Sequence, residues 1–353
     1  MNLEALGFGP HWAAALLALD RPDWTPARVV ADHRDQPEVV TASGPRRALL
    51  RPHLYQDGTL PVVGDWVAVS QPAPDVCMVE AILPPRTDFA RIGAGRRAAR
   101  QRVAANVDRV LVVTALDGDF KPRRLDRYLA AVHHAGAEGA VVLNKTDACP
   151  GGPAAVAEAV AAVKHRPCLP VSAQRGEGLA ELRALLGPGE TVALVGSSGV
   201  GKSSLINALL GEARQATQAV RADDGKGRHT TTHRSLIPLP GGALLVDTPG
   251  MRAFAPDAGA EDVAAVFPDV AEWAARCHFA DCSHEGEPGC AVQAAVAAGA
   301  LAAERLDAWR RLGRAQAHDA LRADAHAQRA AQRAQAKLYR RILASSRRHK
   351  GDG

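Results

Sequence analysis

Between residues 27 and 83 the apolar positions come in short runs: ARVVADHR, EVVTASG, RRALL, PVVGDWVAVS and DVCMVEAIL, each bounded by glycine, proline or aspartate. Short runs broken by turn residues predict closely spaced strands, and a row of them predicts a small β-barrel. The following stretch, TDFARIGAGRRAARQR, is basic and has no periodic apolar face, so a linker or loop is expected there.

From Asp108 the period changes. DRVLVVTALD is a continuous apolar run, as in a strand covered on both faces. In RRLDRYLAAVHHAG, Leu125, Tyr128, Leu129 and Val132 share one helical face, and Gly136 supplies a stop. GAVVLNKTD, AAVAEAVAAV, CLPVSA, LAELRALLG and TVALVGSSG continue the alternation, the pattern of a doubly wound α/β sheet. SLIPLP and GGALLVDTPG predict a closing hairpin. After Pro256 the strand pattern ceases, leaving a helical, cysteine-bearing segment and a long helix to about Leu343. The expected division is a barrel over residues 24–88, an α/β domain over 97–256 and a helical domain over 257–353.

Composition adds limits. At 353 residues and 47% hydrophobic content the chain can bury two or three cores. No apolar stretch reaches the roughly 18 residues needed to span a bilayer, and the N-terminus has no basic start before its short apolar run. A cytoplasmic protein without a membrane partner is expected, and a monomer. Six cysteines do not make a disulfide framework in a chain this long; Cys277, Cys282 and Cys290 crowd together, which points to a metal. The net charge of +5 is modest, but from Arg310 to Lys350 twelve Lys or Arg face only Asp319 and Asp324. There Arg329, Arg333, Lys337 and Arg341 form an i, i+4 basic stripe suited to a polyanion such as RNA.

TVALVGSSGVGKSSLINALL reads as strand, glycine loop and helix, with a complete G-x-x-x-x-G-K-[ST] match. Gly196, Ser197, Ser198, Gly199, Val200 and Gly201 form a loop whose backbone N–H groups can face phosphates, and the helix that follows adds its positive end. Lys202 can reach the β and γ phosphates, the Ser203 hydroxyl can bind Mg²⁺, and Ser204 continues the cradle. DTPG follows the apolar run ALLV, which puts Asp247 at a strand tip as an Mg²⁺ partner and offers the Gly250 N–H to the γ-phosphate. The intervening loop holds Thr230, Thr231 and Thr232; one should complete the Mg²⁺ shell, and Thr231 is favoured.

Phosphate loops serve ATP and GTP alike, so the base reader must lie elsewhere. LNKTD supplies it. Guanine presents N1–H beside an exocyclic amine, a donor pair that the carboxylate of Asp147 can accept bidentately. Asn144 can bond N7 and tie its loop to the phosphate loop, and the Lys145 stem can lie across the ring, with Thr146 completing the turn. Ser172 and Ala173, at the end of another strand, can offer a backbone N–H to O6. The base reader therefore precedes the phosphate loop, the reverse of the usual GTPase order.

That order of NKTD, SA, GSSGVGKS, HTTT and DTPG resembles a circularly permuted GTPase. With PVVGDWVAV, RVAANVDRVLVV, GRHTTT and CHFADCSHEGEPGCAV, nearly the whole chain is similar to the bacterial small-ribosomal-subunit-dependent GTPases, the RsgA or YjeQ family. The resemblance implies a permuted P-loop GTPase domain between an OB-like barrel and a zinc-binding helical domain, with GTP and GDP as ligands. It implies the small ribosomal subunit and its rRNA as partners, in late assembly of that subunit.

Cys277, Cys282, His284 and Cys290 are spaced C-x4-C-x-H-x5-C, and three thiolates with one imidazole suit a closed, structural Zn²⁺ site; the resemblance implies the same four ligands. The position after Gly250, where many GTPases carry a glutamine that orients water, is Met251. Unassisted hydrolysis is therefore expected to be slow and to be stimulated by the subunit. His229 is the nearest substitute, as the resemblance also implies. Two rivals remain at this point: an RNA-binding protein that holds GTP without turning it over, and an ATP-dependent phosphotransferase.

Overall fold

The computed structural model describes residues 2–33, 36–56, 60–73, 76–92, 100–163, 166–211, 234–247, 260–315 and 317. The chain divides into two units, Met1–Pro256 and Asp257–Gly353.

The first unit begins with the barrel. Strands β1 (Thr25–His33), β2 (Gln36–Thr41), β3 (Gly44–Leu50), β4 (Trp66–Ala73) and β5 (Val76–Ile82) run in the order β1-β2-β3-β5-β4. β4 then returns onto β1, with Thr25 opposite Val69 and Arg28 opposite Trp66, so the sheet closes. The β3–β5 pair is parallel and the rest are antiparallel. Inward positions carry Ala27, Val29, Val39, Ala48, Val67, Val69, Cys77 and Val79. Small and branched residues suit the narrow interior of such a barrel. Leu54, on helix α2 (Pro52–Gln56), packs against that interior. The segment before β1 packs beside Trp66 through Leu3, Leu6, Phe8, Trp12 and Leu16. Helix α1 (Pro10–Leu17) sets Trp12 5.7 Å from the Trp66 ring, and Phe8 lies 4.9 Å from it edge-on.

The stretch expected as a linker is instead a hairpin, β6 (Asp88–Ile92) antiparallel to β7 (Arg100–Ala105). Its anchor is ionic as well as apolar. Arg102 donates to Asp88 at 2.7 Å and bidentately to Asp65 at 2.9 and 3.0 Å, while Phe89 and Val103 are fully buried. An ion pair gives no hydrophobic period, so the pattern of apolar positions did not reveal these strands.

The α/β sheet consists of β8 (Arg109–Ala115), β9 (Glu138–Asn144), β10 (Cys168–Pro170), β11 (Thr191–Val195), β12 (Arg234–Pro238) and β13 (Leu244–Asp247), in the order β10-β9-β8-β11-β13-β12. All neighbours are parallel except β12–β13. Helices α3 (Pro122–His134), α4 (Gly152–Ala162), α5 (Leu179–Ala184) and α6 (Lys202–Leu210) alternate with the strands. On α3, Leu125, Leu129 and Val132 are buried and Tyr128 is partly so. The central β11 comes fourth in the chain order of strands taken from β8 only because the segment β8 to β10 precedes it. Joining the ends of the domain elsewhere would leave every neighbour in the sheet unchanged.

One pairing was not legible in the pattern: β1 also pairs with β12, Ala31 opposite Ser235 and Asp32 opposite Arg234. Barrel and α/β sheet are therefore one continuous hydrogen-bonded surface.

In the second unit, α7 (Ala260–Val266), α8 (Pro268–Ala274) and α9 (Ala291–Ala297) are followed by a helix over residues 303–315. Val263, Phe267, Val270, Val292 and Leu306 are buried there. Arg305 holds Asp269 at 2.8 and 3.0 Å and lies over the Phe267 ring. Among the described residues, no helix is long and apolar enough to cross a membrane.

Candidate nucleotide site and metal centre

β11 is buried along its whole length, and the chain leaves it through a loop only glycine can begin. At Gly196 φ is +143°, and a Cβ would collide with the Val113 carbonyl of the neighbouring β8. The loop turns again at Gly201, where φ is +91° and a Cβ would strike the Asn144 amide. α6 starts directly after it, pinned to the sheet by Leu205, Ile206 and Leu209. Its free N–H groups point out of the carboxyl end of the sheet, where open α/β sheets bind ligands. Lys202 is 9% exposed and curls back over the loop, donating to Gly196 O at 2.8 Å and to Ser197 O. Ser198 and Gly199 are exposed at the loop crest, Val200 is buried beneath it, and Ser203 and Ser204 lie in the first turn of α6.

β9 delivers the second loop to the same edge. Asn144 is 1% exposed and bridges three segments: its Nδ2 donates to Val200 O at 2.9 Å, and its Oδ1 accepts from Ala173 N at 3.1 Å. The chain then reverses at Lys145, whose φ of +62° is left-handed, and enters a 3-10 turn over Thr146–Ala148. There Asp147 accepts from the Ser172 hydroxyl at 2.6 Å. So Asn144, Asp147, Ser172, Ala173 and the phosphate loop form one connected hydrogen-bonded group. Asp247 ends β13, which pairs in parallel with β11, so its carboxylate lies at the same sheet edge. Gly250, His229, Thr230, Thr231, Thr232 and Met251 lie outside the described residues, as do Arg329, Arg333, Lys337 and Arg341.

Asp117 is a member of this site that the motif reading passed over. It accepts from Lys145 Nζ at 2.7 Å, and that hydrogen bond holds its carboxyl below the usual range. The signal was its place just beyond the end of β8, at the carboxyl edge of the sheet. A Cβ on Gly201 would lie 3.9 Å from Lys145 Cε, so the lysine stem runs close along the phosphate loop while Asp117 holds its tip.

The four expected metal ligands also converge. Sγ of Cys277 and Cys290 are 3.9 Å apart, each lies 3.5 Å from His284 Nδ1, and with Cys282 all four donor atoms lie within 4.8 Å of one another. Tetrahedral bonds of about 2.3 Å to sulfur and about 2.05 Å to nitrogen place two sulfurs about 3.8 Å apart, and sulfur and nitrogen about 3.6 Å apart. The donor set and its spacing thus fit a zinc ion. Cys277 closes the segment after α8, Cys290 caps α9 by accepting from Gln293 N at 3.4 Å, and His284 is buried between them. Burial opposes ionisation of Cys277, yet the N–H groups of Val292 and Ala291 bring its thiol below the ordinary value. Burial lowers the His284 pKa, which keeps the ring neutral, the form that binds metal.

A family profile described as RsgA GTPase matches residues 82–256. Curated relatives include the small ribosomal subunit biogenesis GTPase RsgA of Opitutus terrae, 42% identical over 96% of both chains. That of Streptomyces coelicolor is 44% identical over 92% of this chain and 89% of its own. Among solved structures, YjeQ from Thermotoga maritima is similar with a TM-score of 0.66 at 26% identity, covering 83% of this chain and 98% of its own. YloQ, described as a circularly permuted GTPase, shares the fold with a TM-score of 0.65 at 21% identity, covering 84% and 96%. With identity above two fifths along nearly its full length, a matching profile over the phosphate and base loops, and the permuted sheet, the chain belongs to the RsgA GTPase family.

Proposed function

We propose that this protein is a cytoplasmic, monomeric GTPase that binds the small ribosomal subunit and acts in its late assembly, hydrolysing GTP to GDP and phosphate when the subunit stimulates it. The observation that carries the proposal is the bridge from Ala173 through Asn144 to Val200, which couples a guanine reader to a phosphate loop that follows it in the chain. The relatives are named small ribosomal subunit biogenesis GTPases, which supports the assembly role.

In this reading Asp147 accepts from N1–H and the 2-amine of guanine, held in place by Ser172. Asn144 faces N7, the Ala173 N–H serves O6, and the Lys145 stem, tethered by Asp117, covers the ring. The backbone from Gly196 to Ser204 cradles the phosphates. Lys202 exchanges its loop carbonyls for phosphate oxygens, and Gly250 N–H meets the γ-phosphate. Ser203, Thr231 and Asp247 would hold Mg²⁺, which neutralises charge between the β and γ phosphates. His229 orients the attacking water. Cys277, Cys282, His284 and Cys290 would hold one structural Zn²⁺, which closes the fold of the second unit and supplies no reaction chemistry. The barrel and the basic C-terminal stripe are the surfaces offered to rRNA.

The test is GTP turnover with and without purified small subunits, for wild type and Asp147→Asn. Wild type should hydrolyse slowly alone and faster with subunits. Asp147→Asn loses a charged acceptor, about 1.5–3 kcal/mol, and should bind GTP roughly 10 to 150 times more weakly. It should gain affinity for xanthosine triphosphate, whose 2-carbonyl can accept from the new amide. Turnover indifferent to subunits rejects the assembly role, and unaltered GTP binding by Asp147→Asn rejects the base reader.

A further inference from the structure

His284 is the least ordinary of the four zinc-facing residues. Its backbone is left-handed at φ +60°, a region that histidine seldom occupies, and its side chain is 3% exposed. Such a conformation persists only when neighbours over-determine it. Two side chains from different helices do so by converging on one atom. The Gln293 amide, from α9, donates to His284 O at 2.5 Å, and the Arg310 guanidinium, from the helix over 303–315, donates to the same oxygen. From the turn before Arg310, Trp309 packs against the imidazole with ring centroids 5.1 Å apart. Arg310 is further set by Asp307 at 3.8 Å one turn away.

We propose that Arg310 and Gln293 are positioning residues that hold His284 in its ligating conformation, so that zinc and the helix over residues 303–315 stabilise one another. This rests on the zinc reading above. A ligand histidine needs an outer partner to fix its orientation, and such partners carry a large share of a site's affinity. Here the clamp acts on the ligand's backbone carbonyl and, through Trp309, on one side of its ring. Because the donors lie on α9 and on the last described helix, what they contribute to the metal the metal must return to them. Linkage makes the coupling reciprocal: a helix that favours the bound geometry is itself favoured by binding. The zinc knot is then more than a closure of its own loop. It fixes the helix over residues 303–315 against the loop that carries His284.

The experiment uses the full-length zinc-loaded chain, with Arg310→Gln, Arg310→Lys, Gln293→Leu and, as a surface control on the same helix, Arg311→Gln. Zinc release to a colorimetric chelator should be about tenfold or more faster for Arg310→Gln and Gln293→Leu. Arg310→Lys, which keeps the charge but not the planar fork, should fall between, and Arg311→Gln should match wild type. As the reciprocal arm, hydrogen exchange of residues 303–315 should slow when cobalt(II) is added to metal-free wild type, and much less so in Arg310→Gln. Cobalt absorption bands of tetrahedral thiolate ligation should form in all variants, which shows that the knot still folds. Equal release rates, or exchange over 303–315 that ignores the metal in wild type, overturn the clamp while leaving the zinc site standing. If wild type holds no zinc and takes up no cobalt, the zinc reading fails and the clamp with it.

Discussion

At Glu80, on β5, the chemistry of one side chain extends to the barrel. Its carboxylate is 6% exposed and accepts from Arg51 at 2.7 and 2.9 Å and from the Ser70 hydroxyl. The bond from Arg51 first, and Ser70 after it, hold the Glu80 pKa below its ordinary value of 4.5 against the opposing effect of burial. A carboxyl held low when folded binds fewer protons than in the unfolded chain, so its contribution is complete above the unfolded value and is lost as pH falls through the folded one. The urea midpoint of wild type should therefore drop as pH is lowered from about 5 to about 3, and Glu80→Gln should flatten that drop. At this scale the motifs were legible because their residues are adjacent in the chain, Asn144 to Asp147 in one loop and Gly196 to Ser204 in the other. Asp117 was not legible, since its meaning depends on Lys145, which the fold brings to it from another strand.

Elements followed the hydrophobic period where that period was their cause. α3 shows its buried stripe at Leu125, Leu129 and Val132, and the uninterrupted apolar runs of β8 and β11 became central strands. The β6–β7 hairpin is the counterexample, because its anchor is Arg102 between Asp65 and Asp88. Asp65 is 0% exposed, and Arg102→Ala would leave it buried and unpaired, which should destabilise the fold by about 3–5 kcal/mol in chemical denaturation. The double variant Arg102→Leu with Asp65→Asn should recover part of that loss, since a neutral side chain can keep the bond from Val62 N without a buried charge.

For the molecule as a whole, the first unit is held together at Arg28. This residue of β1 is 1% exposed and lies 5.1 Å from the Trp66 ring centroid. It donates to Leu6 O at 2.6 Å, to Asn106 O at 3.2 Å and to Thr191 Oγ1 at 2.9 Å, linking the N-terminal turn, the approach to β8 and the strand that feeds the phosphate loop. Burial lowers its pKa to about 10, so it remains charged at neutral pH. Arg28→Met keeps much of the stem but leaves three acceptors unmatched; a loss of about 3 kcal/mol is expected, read as a fall of roughly 6–12 °C in the melting temperature of this unit. The β1–β12 pairing adds a second link, by which the barrel is hydrogen-bonded to the strand that precedes β13 and Asp247.

The chain by itself determined its motifs and the kinds of its elements: a glycine-rich phosphate loop, the NKTD turn, a cluster of three cysteines and a histidine, a barrel, an α/β sheet and a helical end. Those follow from short-range physics, since loop glycines, helix periodicity and ligand spacing act within a few residues. Only the tertiary structure decided how the parts are held to one another. The hairpin around Arg102, the Arg28 joint, the shared sheet through β1 and β12, the Lys145–Asp117 pair and the Arg310 grip on His284 all depend on polar groups that become partners only after burial has brought distant segments together. A hydrophobic pattern records which side of an element is covered; it carries no record of which charge will be waiting there.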